Sequence, residues 1–289
     1  MNIADNLPEE LRERIAKLTN GHTSTTSSEL TPLEREEREA RYYNAEEGSL
    51  YNKDGYNCEK CKNRGYIAKV IHAADRPECV LQECECMEVR RSLSYLRSSG
   101  IAGLSEKCTF DSFDVTEPWQ RAIWNKALAF SENPAGRWLF LGGQVGAGKS
   151  HLGIAATVKI MKEKHARARY YVWPEEIRKT WGDNEAYGWF IRNAKEIQIL
   201  YIDDLFKPTG EGKGPTPNEI RTAFDILNYR YNNPDGITII SSEYTVAELI
   251  AFDEAVGSRI YERTKNGTAI NIARDRKRNF RMNGKEDLI

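Results

Sequence analysis

Residues Gly143 to Ser150 read GQVGAGKS, which are the types and spacing of a G-x-x-x-x-G-K-[ST] phosphate-binding loop. Gly146 and Gly148 let successive backbone N–H groups turn toward phosphate oxygens, and the following helix adds the favourable end of its dipole. Lys149 supplies a point charge for the β and γ phosphates, and the Ser150 hydroxyl suits Mg²⁺. Gln144, Val145, Ala147 and His151 complete the expected nucleotide-binding set. Some fifty residues on, Ile199-Leu200-Tyr201-Ile202-Asp203-Asp204 is an apolar run ending in two acids. A buried parallel strand reads this way, and ligands sit beyond its carboxyl end. Asp203 is placed to hold Mg²⁺, and Asp204 to orient or deprotonate an attacking water. Two adjacent aspartates alone more often mark a solvated loop. Their position after a phosphate loop favours catalysis, so the chain is expected to bind and hydrolyse a nucleoside triphosphate.

A second kind of chemistry lies upstream. Cys58-x-x-Cys61 and Cys84-x-Cys86 flank a strand-like segment, Gly65 to Ile71. Four thiolates in two close pairs suit tetrahedral Zn²⁺ with no open position, hence a structural site. A segment this poor in apolar residues needs such a staple. Cys79 is a substitute ligand and Cys108 a lone core residue in this reading. Unliganded thiols and a redox pair are the rivals.

These groups need elements to hold them. Trp138 to Leu141 reads as the strand before the phosphate loop, and His151 to Ala156 as the helix after it. From about Phe110 strands and helices alternate, the signature of an α/β fold with a parallel sheet. The expected order is a strand at Ala168–Trp173, a helix opened by Pro174, the Asp203 strand, and a loop from Lys207 to Pro217. A helix from Asn218 to Tyr231 and a strand from Ile237 to Ser242 follow. The final stretch is expected to be helical and then basic, with Arg274, Arg276, Lys277, Arg278 and Arg281. At the start, Leu7, Leu11, Ile15 and Leu18 recur at helical steps, packing on their own domain or in a partner's groove. Thr19 to Ser28 reads as a linker, and Thr31 to Tyr43 as a solvated helix rich in Glu and Arg. The division expected is 1–50 for amino-terminal helices and linker, 51–103 for a zinc-binding docking domain, and 104–289 for the ATPase domain.

The chain has 289 residues, 40% of them hydrophobic, and a net charge of −1, enough for a sizeable core in one or two domains. With no overall basic charge, any nucleic-acid contact must be local. No apolar run approaches the ~18 residues of a membrane span. The start lacks the pattern of a secretion signal, so a cytoplasmic protein with free or metal-bound thiols and no membrane partner is expected.

Six segments together resemble one family: Gly146-x-Gly148-Lys149-Ser150-His151-Leu152, Ile202-Asp203-Asp204, Phe224 to Tyr231, Thr238 to Glu243, Gly257 to Arg263, and Asn279-Phe280-Arg281. They look like the AAA+ P-loop NTPases of the DnaC/DnaI type, which load the replicative helicase in bacteria and their phages. The cysteine pairs ahead of Ser99-Gly100-Ile101 resemble that family's amino-terminal zinc module. The resemblance covers roughly residues 55 to 283. It implies that Ser242 or Glu243 stands at the sensor 1 position, that Arg259 is an arginine finger reaching a neighbouring subunit's γ-phosphate, and that Arg281 is the sensor 2 arginine. A cation near charge developing on phosphate suits both arginines, whereas Arg230 and Arg263 read at least as well as structural. Two departures stand out: Ser-Ser-Glu where Asn is common at sensor 1, and Gln144 where Pro is common.

The resemblance also implies self-association through the AAA+ domain, a hexameric replicative helicase as partner, and single-stranded DNA binding. Trp173, Trp181, Tyr187, Trp189 and Phe190, interleaved with Arg178, Lys179, Arg192 and Lys195, would suit single strands, although aromatics at such spacing are more often core. The implied function is ATP-dependent loading of the replicative helicase at replication initiation. The nearest rival is a transposition-helper AAA+ ATPase that recruits a transposase. A nucleotide-bound adaptor blocking a host helicase and a DNA-binding initiator are further rivals. Intact Lys149, Asp203 and Arg259 argue against the first, and the lack of a helix-turn-helix after the core argues against the second.

Overall fold

Five short apolar segments make the main sheet, and their order decides which motifs meet. The structure is a computed structural model, and it describes residues 30–73, 76–97, 102–134, 138–164, 166–207 and 214–282. The expected helix at Leu7 to Leu18, the linker at 19–28 and the Ser99-Gly100-Ile101 segment lie outside the described residues. Contacts divide the chain into two units, one holding the residues up to Glu47 with Tyr66–Gln82, the other Gly48–Gly65 with Glu83 onward.

In the first unit, helix α1 (Pro32–Ala45) starts at a capping box in which Glu34 N donates to Thr31 Oγ1 and Thr31 N to Glu34 Oε2. Only Ala40 is buried along it, as its Glu/Arg composition leads one to expect. Asn44 both donates to Ala68 O and accepts from Ala68 N, at 2.9 Å each, holding α1 on strand β1 (Tyr66–Ala73), which pairs with β2 (Arg76–Glu83).

The second unit begins with the short helix α2 (Leu50–Asp54), then α3 (Cys86–Leu96), α4 (Ala102–Lys107) and α5 (Pro118–Glu132). Strands β3 (Trp138–Gly143), β4 (Ala168–Val172), β5 (Ile199–Asp203), β6 (Ile237–Ser241) and β7 (Ala269–Ile272) form a parallel sheet in the order β4-β5-β6-β3-β7. Parallel neighbours need crossovers. These are α6 (Lys149–Lys164), α7 (Trp173–Lys179) and α8 (Asn184–Glu196), then α9 (Pro217–Asn232), α10 (Val246–Phe252) and α11 (Glu254–Thr264). Both faces of the sheet are covered, so β3, β5 and β6 are buried at every residue. Period-two alternation sorts their side chains: Leu139, Leu141, Ile199 and Tyr201 join one core with α5 and α6. Trp138, Phe140, Leu200 and Ile202 join another with α7 to α11.

Two expectations need correction. The final stretch is not simply helical and then basic, because β7 intervenes as the fifth strand. It is four residues long with Asn271 exposed, too short to stand out from helix and loop. Trp173 opens α7 rather than ending β4, since Pro174 sits in the first turn of that helix. Arg230 is structural. Its buried guanidinium donates to Thr238 Oγ1, Ile237 O and Ile197 O at 2.7–2.8 Å, tying the end of α8 to the start of β6, and burial lowers its pKa to about 10.

Candidate functional site

The phosphate loop leaves β3 at its carboxyl end and runs into α6. Its glycines are required by space as well as by backbone. Gly146 has φ +72, and a Cβ there would stand 1.9 Å from Asn279 Oδ1. At Gly148, with φ +81, a Cβ would stand 2.5 Å from the Phe113 ring. Lys149, the first residue of α6, is buried and donates to Gly143 O at 2.9 Å and Gln144 O at 2.7 Å. Burial pulls its ammonium pKa down, against the opposing charges of Glu243, Asp204 and Asp203. Ser150 donates to Asp203 Oδ1 at 3.0 Å, which joins the loop to the acid strand.

Asp203 is the last residue of β5 and is buried. Besides Ser150 its carboxylate accepts from Tyr201 OH at 2.9 Å, from Tyr170 OH at 2.7 Å and from the Ser241 hydroxyl. Burial and the Asp203 charge push both phenol pKa values up, so the tyrosines stay protonated donors. Space for Tyr201 comes from Gly153 on α6, where a Cβ would meet the phenol oxygen at 2.4 Å. Sequence reasoning missed this ring of hydroxyls. The two tyrosines stand side by side only because β4 and β5 pair with Tyr170 opposite Tyr201.

Asp204 follows the strand with a left-handed backbone, φ +56. It shares Lys207 with Glu243, the ammonium lying 2.8 Å from Asp204 Oδ2 and 3.6 Å from Glu243 Oε1. Of the two sensor 1 candidates, Glu243 lines the cavity. Ser242 is buried and its hydroxyl donates to Leu205 O at 2.7 Å while accepting from Tyr244 N.

The cavity beyond the strand ends has a volume of about 400 Å³ and is lined by Gly146, Lys149, Asp204, Lys207, Glu243 and Arg281, among others. Val145 and His151 also line it, and His151 Nε2 lies 2.8 Å from Thr109 O. Ala147, within the loop, is buried, and Gln144 accepts from Asp275 N through its side chain. Arg281 arrives because Phe280 N donates to Gly146 O at 2.9 Å and the Phe280 ring packs against Phe113 and Trp119. Arg259 does not line the cavity. It sits on α11, donates to Asn228 Oδ1 at 3.0 Å and Ala255 O at 2.6 Å, and lies over the rings of Phe224 and Tyr231. Arg263 donates to Tyr231 O.

The aromatic group divides. Trp173 and Phe190 are core residues, and Tyr187 contacts Thr222 Oγ1 through its hydroxyl. Trp181 and Trp189 are 67% and 51% exposed, and the Arg169 guanidinium lies 5.4 Å from the Trp189 ring centre.

Cys58, Cys61, Cys84 and Cys86 converge, with all four sulfurs within 4.8 Å of one another. The Cys58–Cys84 and Cys61–Cys86 sulfurs are 3.9 and 3.5 Å apart. Zinc–sulfur bonds of ~2.3 Å put tetrahedral sulfurs about 3.8 Å apart, so this donor set fits zinc. A turn with left-handed Lys62 and Asn63 bends the chain between the ligands, and Gly65 N donates to Cys61 Sγ. Asn63 Oδ1 accepts from Cys58 N at 2.8 Å and from Arg90, which also pairs with Asp54. Cys79 is not one of the four. Cys108 packs against the core, as expected.

The chain is similar to several known proteins. The chain is 30% identical to the phage-like element PBSX protein XkdC of Bacillus subtilis, over 72% of this chain and 79% of that protein. It is 25% identical to the protein YqaM of the same organism, over 82% of this chain and 89% of that one. Among solved structures, the DnaC helicase loader is similar at 22% identity and a TM-score of 0.48, covering 59% of this chain and 98% of that one. Residues 104–267 match the family described as the bacterial DnaA ATPase domain. With its phosphate loop, acid strand and four of the five parallel strands inside the matched region, the chain belongs to the bacterial DnaA ATPase-domain family of AAA+ P-loop proteins.

Proposed function

We propose that this chain is an ATP-dependent loader of the replicative DNA helicase, working as several copies that bind the helicase and single-stranded DNA. The observation that carries the nucleotide half is the convergence of Lys149, Asp204, Glu243 and Arg281 on one cavity, beside the Ser150–Asp203 hydrogen bond. In this reading Lys149 turns from the loop carbonyls to the β and γ phosphates. Asp204 and Glu243 orient the attacking water. Its oxygen bonds to the γ phosphorus, the bond to the β–γ bridging oxygen breaks with its electron pair leaving on ADP, and Asp204 takes the proton. Arg281 steadies charge on the γ-phosphate within its own subunit. Ser150 and Asp203 would hold Mg²⁺, which when bound neutralises phosphate charge. Arg259 lies outside its own cavity, which supports its use on a neighbouring subunit's nucleotide and hence self-association.

The helicase half rests on the resemblance of the six segments to DnaC/DnaI-type loaders. The zinc-stapled cysteine module and amino-terminal helices would grip the helicase, and the exposed Trp181 and Trp189 offer stacking surfaces for single strands. ATP would favour assembly on DNA and hydrolysis would favour release, which requires different partner affinities in the two nucleotide states. Light scattering of the full chain mixed with the hexameric replicative helicase, in ATP, in ADP and without nucleotide, tests this. A complex that depends on nucleotide supports the proposal. Its absence in all three conditions overturns the helicase half and turns the search to a transposase.

A further inference from the structure

Lys207 lines the cavity yet has no part in the chemistry above. Its position is the product of an unusual turn. Asp204 and Phe206 both have left-handed backbones, with φ +56 and +58, a region that residues with a Cβ enter rarely. Such conformations persist only where the surroundings enforce them. Here Leu205 and Phe206 are buried, Leu205 N donates to Ser241 O at 2.9 Å, and Leu205 O accepts the Ser242 hydroxyl. Lys207 N closes the turn on Asp204 O at 3.0 Å. The chain is thereby folded back so that the ammonium falls between the acids that follow β5 and β6, at 2.8 Å from Asp204 and 3.6 Å from Glu243.

A cation against a carboxylate competes with a water for its oxygens and fixes the direction in which they point. Lys207 takes Asp204 Oδ2 and draws the Glu243 carboxylate toward the same cation, which holds both acids away from a shared water. Burial lowers the Lys207 pKa, but the hydrogen bond and charge of Asp204 outweigh it, so the side chain stays an ammonium. We propose that Lys207 is a positioning residue that clamps Asp204 and Glu243 to one another and so restrains hydrolysis in the isolated subunit. This rests on the ATPase reading of the same cavity. The clamp is reversible: its side chain is 39% exposed and carried on a flexible stem, so a change of rotamer frees both acids while the turn stays in place.

The test is single-turnover hydrolysis of γ-labelled ATP by the full-length wild type, Lys207→Met and Lys207→Arg, with ATP affinity and thermal melting measured alongside. Lys207→Met should hydrolyse about fivefold faster than wild type. Its affinity for ATP should stay within about threefold, and Lys207→Arg, which keeps the cation, should match wild type. Faster hydrolysis by the methionine variant when the wild type is silent also supports the clamp. A methionine variant no faster than an active wild type overturns the clamp and leaves the ATPase reading standing. Hydrolysis by none of the three, with ATP bound and melting unchanged, overturns both.

Discussion

The nucleotide cavity draws Lys149, Asp204, Glu243 and Arg281 from four separate stretches of a sheet domain, whereas the cysteine cluster draws its sulfurs from two turns between Cys58 and Cys86. In the cavity long-range contacts set the frame: Asp204 N donates to the Ser241 hydroxyl and Phe280 N to Gly146 O. Asp203 alone is held by donors from α6, β4, β5 and β6. In the cluster the second layer is mostly local: Asn63 and Gly65 hold the Cys58–Cys61 turn from within five residues, and Arg90 joins from the helix that Cys86 opens. The cavity should therefore keep its shape when any one functional group is removed, because the sheet sets it. The cluster should lose its shape with its metal, because little apolar burial stands behind it.

The largest effect expected is removal of the metal. Structural zinc is worth on the order of 10 kcal/mol in small modules. A strong chelator should make the four cysteines react rapidly with a thiol reagent, while ATP affinity moves by less than about threefold. Loss of nucleotide binding together with the metal would break the contrast. Next in size, Lys149→Ala should lower ATP turnover about 10³-fold, with zinc content per chain unchanged by elemental analysis. Arg90→Met should cost about 3 kcal/mol in denaturant unfolding, because it leaves the Asp54 carboxylate without its buried partner. ATP turnover in that variant should match wild type. The smallest effect belongs to Tyr170→Phe, which removes one of the four donors to Asp203. About 1 kcal/mol is at stake, seen as a melting temperature lower by about 3 °C and roughly a fivefold fall in turnover. A fall as large as that of Lys149→Ala would mean that one phenol, rather than the ring of hydroxyls, holds the acid.

The same contrast explains what could be read without coordinates. The phosphate loop and the cysteine pairs are legible because their chemistry is written in adjacent residues. The Asp203 strand is legible because a buried parallel strand is continuously apolar. Tyr170 and Tyr201 are not, since each is an ordinary strand residue until the register places one beside the other. Lys207 is hidden for a different reason: its direction follows from two left-handed residues that no composition rule anticipates. Strand β7 is too short and too polar at Asn271 to register as a period. Arg230 and Arg259 look alike in the chain. Packing separates them, with one guanidinium sealed among carbonyls and the other held between two rings near the surface.

The contact of Phe280 with Gly146 has a consequence for synthesis. The ribosome makes the phosphate loop first and reaches Phe280 and Arg281 only about 130 residues later (Ser150 to Arg281). At ordinary elongation rates that interval is on the order of ten seconds. During it the nascent chain carries a finished loop whose backbone has no Phe280 to accept from and no Arg281 beside it, while all four cysteines have already emerged. The cysteine cluster can assemble while translation continues, but the nucleotide site acquires its last wall only near the end of the described chain.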